Sequence, residues 1–299
     1  MPDRPRVSIG IPVYNGENYL ADTLDSLLAQ TLGDFEILIA DNASTDGTRE
    51  IARAYTKRDT RVRYFRHDRN IGAGPNHNFL LDHARAPYFK WAAHDDLYEP
   101  DYLAECVAVL DNDPAVVLAH SDGVMIDARG KTLHFDLFRQ VFVDAAGHSL
   151  PKERIDICVS DRPEARFDDV LHKLVWCTAM YGVFRRDLAD KLTLNRTFYG
   201  SDKVFLAEMA LFGKFHHTAM PLFKKRCHDG MSARMSADAR RRFMDTSGDA
   251  PSPYFALFRG YLNAALKVGP LEPSDRLQCL ASVARKTVAA SYWRRAEAA

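Results

Sequence analysis

Along the first 120 residues, apolar positions switch repeatedly between two periods. Val7-Ser8-Ile9-Gly10-Ile11-Pro12-Val13 is a β-branched run that stops at the turn cluster Tyr14-Asn15-Gly16, and Tyr19, Leu20, Thr23, Leu24, Leu27 and Leu28 then recur at three-to-four spacing. The run predicts a strand and the spacing an amphipathic helix. Phe35 to Ala40 predicts a second strand, which ends on Asp41-Asn42-Ala43-Ser44-Thr45-Asp46-Gly47-Thr48, a loop dense in helix-capping residues ahead of Ile51, Ala52, Ala54 and Tyr55. Val62 to Phe65 predicts a third strand, followed by the loop from Asp68 to Gly74 and a helix from about Pro75 to Ala84. Tyr88-Phe89-Lys90-Trp91-Ala92-Ala93 reads as a buried strand tipped by His94-Asp95-Asp96, with a helix after Pro100 carried by Leu103, Val107 and Leu110. Ala115 to His120 predicts a fifth strand. Strands alternating with helices at this interval imply parallel βαβ units with right-handed crossovers.

Beyond Asp122 the alternation fades. Asp127-Ala128-Arg129-Gly130 reads as a turn between two strands, and Thr132 to Arg166 has no clear period, which predicts a long excursion over the surface. Phe167 to Trp176 predicts a helix, Ala179 to Phe184 a strand, and Tyr199-Gly200-Ser201-Asp202 a turn opening another helix. Phe215 to Phe223 predicts a strand, and the tail from Asp238 to Ala299 is chiefly helical, with Phe255, Phe258, Tyr261, Leu262 and Leu266 facing one way. These patterns divide the chain into residues 1–121, 122–235 and a helical extension, 236–299.

With 299 residues the chain can form one large α/β domain with appendages. Its 40 basic and 40 acidic side chains cancel, so nothing in the charge balance calls for nucleic acid. Cys106, Cys158, Cys177, Cys227 and Cys279 are scattered and form no C-x-x-C pair, which suggests reduced thiols in a cytosolic protein. Met1 to Arg6 lead straight into a strand without a signal-peptide core, and no window has the ~18 consecutive apolar residues of a membrane span. The expectation is a cytoplasmic protein that is soluble or peripheral at a membrane.

Two adjacent carboxylates after a buried strand, Asp95 and Asp96, are held ionised either by full solvation or by a counter-cation. A divalent cation that prefers oxygen ligands would suit them, and so would a simple capping role for the following helix. Pro12-Val13-Tyr14-Asn15, Asp41 and Asp95-Asp96 all follow strands, and ligands of open α/β sheets bind at the carboxyl ends of strands. A planar base near Tyr14, with Asp41 accepting a ring N–H, and a diphosphate on a metal at Asp95 would fit that edge.

Taken together, Ile11-Pro12-Val13-Tyr14-Asn15, the Asp41 to Thr48 loop, Asn70-Ile71-Gly72, His94-Asp95-Asp96-Leu97-Tyr98-Glu99-Pro100 and Gly200-Ser201-Asp202 resemble a family-two inverting glycosyltransferase of the GT-A fold over roughly residues 6 to 230. The resemblance implies a Rossmann-like, mostly parallel α/β sheet flanked by helices. It implies that Pro12, Tyr14, Asn15, Asp41 and Asn70 hold the nucleotide, and that Asp95 is the metal-binding carboxylate of a D-x-D element, joined by Asp96 or His228 as further candidates. Ala93 and His94 stand where the family has an earlier aspartate, so His94 is a substitute donor to ribose or phosphate, or a structural histidine. Asp202 matches the catalytic base, and Ser201 replaces the more usual Glu before it. Trp176, Tyr181 and Gly182 are candidates for the acceptor site. The implied cofactor is Mg²⁺ or Mn²⁺. The implied donor is a nucleoside-diphosphate sugar, UDP-linked by preference, and the acceptor a hydroxyl on a glycan, a lipid-linked sugar or a small molecule. A non-catalytic binder of the same fold and a sugar-phosphate nucleotidyltransferase are the alternatives. The helical tail is a candidate for homodimerisation or for peripheral membrane contact.

Overall fold

The computed structural model describes residues 4–154, 157–194, 197–244 and 252–288; the N-terminal leader reading at residues 1–3 and the end of the helical tail at 289–299 lie outside the described residues. The chain runs β1 (Val7–Val13), α1 (Leu20–Leu28), β2 (Phe35–Asp41), α2 (Thr48–Arg58), β3 (Val62–Arg66), α3 (Ala73–Asp82), β4 (Tyr88–Trp91), β5 (Leu97–Tyr98), α4 (Tyr102–Asn112) and β6 (Val116–Ile126). It continues through β7 (His134–Asp136), β8 (Val141–Val143), β9 (Ser149–Pro151), α5 (Pro163–Lys173), β10 (Val183–Arg185), α6 (Ser201–Ala210), β11 (Lys214–Arg226), α7 (Ala237–Met244), α8 (Pro253–Lys267) and α9 (Pro273–Val288). Eight strands form one sheet in the order β3-β2-β1-β4-β10-β6-β11-β5. β3, β2, β1 and β4 pair in parallel, as do β6 and β11, whereas β10 is antiparallel to both its neighbours and β5 to β11.

Side chains alternate across these strands, so each face of the sheet has its own core. Val7, Ile9, Ile11 and Val13 of β1, with Phe35, Ile37 and Ile39 of β2, pack with residues of α1, α2 and α4. Leu38 and Ala40 point the other way, into a larger cluster shared with α3, α5, α6, α8 and α9. Trp91 is fully buried there, against Phe89, Phe184 and Phe205 at centroid distances of 5.1 to 5.3 Å. α8 and α9 are thus part of the main core, docked on α6 and α5.

Several sequence expectations change. The excursion from Thr132 to Arg166 holds a small antiparallel sheet, β7-β8-β9, whose strands are three residues each and too short to show a period. Ala179 to Phe184 divides into a 3₁₀ turn, Thr178–Tyr181, and β10. β6 runs on to Ile126, paired with a β11 that reaches Arg226 through irregularities around Thr218 and Pro221. Among the described residues no helix is long and apolar enough to cross a membrane.

Candidate active site

A cleft of about 920 Å³ opens at the carboxyl ends of β1 and β4, within the size range of nucleotide and cofactor sites. Pro12, Tyr14, Asn15, His94, Asp95, Trp176, Tyr181, Asp202 and His228 all line it. Asp41, Asn70, Asp96 and Gly182 do not line it.

The first wall is the loop after β1. Asn15 takes a left-handed conformation (φ 55°), its N–H donates to Ser44 Oγ at 2.9 Å, and its Oδ1 accepts the Thr45 N–H at 2.8 Å. Gly16 N–H donates to Thr48 Oγ1 at 2.8 Å, so the loops after β1 and β2 are laced together. Tyr14 stands 40% exposed above them, free to offer its ring to a ligand.

Asp41 lies beneath that lacing and is fully buried. Its Oδ1 accepts the Ser44 N–H at 2.7 Å, and its Oδ2 accepts the Tyr64 hydroxyl at 2.6 Å and Arg66 Nη1 at 2.5 Å. Burial would raise its pKa, but the bonds from Tyr64, Ser44 and Arg66 outweigh that and hold it below the usual carboxylate value. These three bonds engage both oxygens inside the protein and leave Oδ1 with a lone pair to spare, although Asp41 itself lies behind the residues that line the cleft. Asn70 ties its loop to the one after β2, its Oδ1 accepting from Asn42 Nδ2 and from the Gly72 N–H, each at 2.9 Å.

The second wall is the turn between β4 and β5. Asp95 faces the cleft and its carboxylate meets His228 Nε2 at 2.9 Å. Burial pushes its pKa up, yet the His228 hydrogen bond and the charges of His94, Lys225 and His228 bring it down to about 2, so it stays ionised. Asp96 turns inward at 1% exposure, where Oδ1 accepts the Arg226 N–H at 2.8 Å and Oδ2 has no partner among the described residues. Asp96 is thereby set apart from the residues that line the cleft. Neither aspartate caps α4, whose N-cap position is Asp101. His94 packs its ring over Gly16, where a Cβ would come within 2.8 Å of Cδ2.

Arg226 holds this turn in place. It is 2% exposed, with Nε donating to the Asp95 carbonyl at 2.7 Å, Nη1 to the Ala128 carbonyl at 3.0 Å and Nη2 to Asp22 Oδ2 at 3.2 Å. Beside it Lys225 reaches the cleft; burial disfavours its charge, but Asp96, Tyr181 and Asp95 raise its pKa well above normal, so it is a fixed cation.

The third wall belongs to α6. Gly200 (φ 91°) occupies the N-cap position in a left-handed conformation that suits glycine, and Asp202 follows in the first turn, its Oδ1 accepting the adjacent Lys203 N–H at 2.9 Å. Asp202 is therefore not the N-cap, and its carboxylate opens on the cleft.

Sequence patterns gave no hint of His77, on α3, which lines the same cleft. Its Nδ1 lies 2.7 Å from the Ala73 carbonyl, which can only accept, so Nδ1 carries the proton. Burial lowers its pKa against the pull of Ala73 and Asp202, so the ring is neutral and Nε2 is a bare acceptor. No periodicity marks such a residue; it shows only once α3 is packed on β1 and β2 at the edge of the cleft. Gly182 lies outside the cleft lining in a tightly packed position, where a Cβ would meet the Ala119 carbonyl at 2.8 Å.

Residues 8–160 match the family described as Glycosyl transferase family 2. An uncharacterized glycosyltransferase of Rickettsia typhi is 36% identical over 132 residues, 44% of this chain and 40% of that protein, so the match spans well under half of the relative's length. Staphylococcus aureus TarS, residues 1–349, superposes with a TM-score of 0.67 at 17% identity, covering 96% of this chain and 72% of that one. The mannosyltransferase PcManGT of Pyrobaculum calidifontis, solved with GDP-Man and Mn²⁺, superposes with a TM-score of 0.52 at 19% identity over 96% of this chain and 76% of that one. The α/β architecture, a mixed sheet flanked by helices, is that of the GT-A glycosyltransferases. With its sequence match reaching over half of its length, the chain belongs to glycosyl transferase family 2.

Proposed function

We propose that the protein transfers a sugar from a nucleoside-diphosphate sugar to a hydroxyl acceptor, with inversion at the anomeric carbon. The observation that carries this reading is the placement of Asp95, His228, Lys225 and Asp202 around one cleft at the strand ends. TarS has been solved with UDP and with UDP-GlcNAc, which favours a UDP-sugar as the donor here.

Inversion is a single in-line displacement, in which the acceptor oxygen forms a bond to C1 as the bond from C1 to the diphosphate breaks. The acceptor hydroxyl must lose its proton, and Asp202 is the carboxylate that takes it. Negative charge grows on the departing diphosphate, and Lys225, held cationic, stabilises it. Asp95 and His228 would hold a divalent cation: the ionised carboxylate suits Mn²⁺ or Mg²⁺, and the imidazole beside it favours Mn²⁺ of the two. Such an ion, when bound, supplies further positive charge to the leaving group. Asp41 supports the nucleotide site through Ser44 and Arg66, which it anchors.

A nucleotidyltransferase would grip a triphosphate with a basic, glycine-rich loop after its first strand, and Tyr14-Asn15-Gly16-Glu17-Asn18 is not basic. The test is turnover of UDP-GlcNAc and other nucleotide sugars by the wild type and Asp202→Asn. Release of UDP by the wild type that is lost in the variant is the expected result; equal turnover by both removes the base assignment.

A further inference from the structure

The cleft is not uniform. Asn15, Asn18, His94, Asp95 and His228 line it, and so do the apolar Leu133, Val175, Trp176, Met231, Met235 and Phe243, with Asp144 and Arg234 beside them. These apolar residues come from distant parts of the chain, and their contacts join them into one surface. Leu133, Trp176 and Met231 pack in a single apolar cluster with Met125, Phe142 and Cys227. Glu153 accepts the N–H groups of Val175 and Trp176, each at 2.8 Å, which fixes that corner. Arg234 donates to Asp144 Oδ2 at 2.6 Å and ties the 231–235 segment to the turn after β8. On α7, Arg240 donates to the Met235 carbonyl at 3.1 Å and lies 4.3 Å from the Tyr199 ring, which brings Phe243 to the same wall.

Val175 and Phe243 remain 40% and 37% exposed within the groove. A glycan hydroxyl pressed against these apolar side chains would lose water without gaining a partner, which is costly. Methionine and aliphatic side chains instead adapt to a flexible hydrocarbon.

Building on the glycosyltransferase reading above, we propose that the hydroxyl acceptor is an amphiphile, its reacting head group beside Asp202 and an alkyl chain along the Leu133–Trp176–Met231–Met235–Phe243 wall. Each methylene buried there is expected to tighten binding about fourfold, and partial burial less. The probes are methyl, hexyl and octyl β-D-glucopyranoside, kept below their micelle concentrations and titrated calorimetrically into the full chain with UDP and Mn²⁺ present. The expected result is a dissociation constant at least tenfold lower for the octyl than for the methyl glucoside, a gain lost in Phe243→Ser and in Val175→Ser. Equal affinity along the series, no measurable octyl binding, or a chain-length gain that survives in both variants overturns the proposal. UDP affinity is measured alone on every variant: its retention shows an intact fold, and a wild type that binds the octyl glucoside but not UDP refutes the donor reading while leaving the apolar wall standing.

Discussion

Asp202 owes its availability to the residue two places before it. With Gly200 in the N-cap position, the first turn of α6 leaves the aspartate's carboxylate facing the cleft rather than closing the helix end. Asp202→Asn is therefore expected to keep UDP affinity within about threefold while transfer falls by a factor on the order of 10² to 10⁴; single-turnover assays alongside UDP titrations measure both. His77 makes a finer prediction. A neutral ring whose Nε2 only accepts calls for a hydrogen-bond donor, O–H or N–H, on whatever binds opposite it. His77→Gln, which preserves an acceptor oxygen, should hold kcat/KM within a few-fold, whereas His77→Leu should lower it by about tenfold or more. Equal losses in both variants would reduce His77 to a packing role.

Among the elements, the short turn between β4 and β5 depends on Arg226 at the end of β11, more than 120 residues away in sequence, where its guanidinium satisfies the Asp95 and Ala128 carbonyls. Arg226→Met leaves those two carbonyls without their guanidinium donors, and is expected to cost about 3 kcal/mol of stability by urea unfolding and to weaken Mn²⁺-dependent UDP binding. An unchanged unfolding midpoint would contradict this role. The strands and helices of the first half were legible because seven-residue β-branched runs and three-to-four apolar spacing are set by local periodicity. The small β7-β8-β9 sheet was not, since three-residue strands give alternation no room. Asp95 and Asp96 are neighbours of the same chemistry, and only the conformation of the turn decides that one lines the cleft and the other lies in the core. Asp41 is closed off by Tyr64 and Arg66 from β3, a tertiary contact that no spacing in the sequence reveals.

Across the whole molecule, the face of the sheet behind the cleft holds an uncommon set of buried polar groups. Strand alternation puts Lys90 on the α4 side of β4, fully buried, 3.6 Å above the Tyr98 ring and 4.9 Å from that of Tyr102. Its Nζ, Asp96 Oδ2 and the Tyr98 hydroxyl have no hydrogen-bond partner among the described residues. Burial lowers the Lys90 pKa from 10.5 to about 7, against the opposing pull of Cys106 and Asp96. Between those values the unfolded chain holds a proton that the folded protein has shed, so this residue adds stability as pH rises through that window. Lys90→Met should accordingly be more stable than wild type at pH 6, with the advantage shrinking toward pH 10, as read from urea midpoints across the range. A difference that does not change with pH would place the charge elsewhere.

The same buried layer supports the cleft in which the chemistry is proposed to occur. The most direct measurement is UDP binding with and without Mn²⁺, by calorimetry, for the wild type and Asp95→Ala. Affinity in the wild type should rise at least tenfold with the metal, and the variant should bind UDP equally weakly in its presence and absence. A wild type whose UDP affinity ignores Mn²⁺, or a variant that responds to the metal as fully as the wild type, would contradict the assignment of Asp95 and His228 as the cation site beneath the diphosphate.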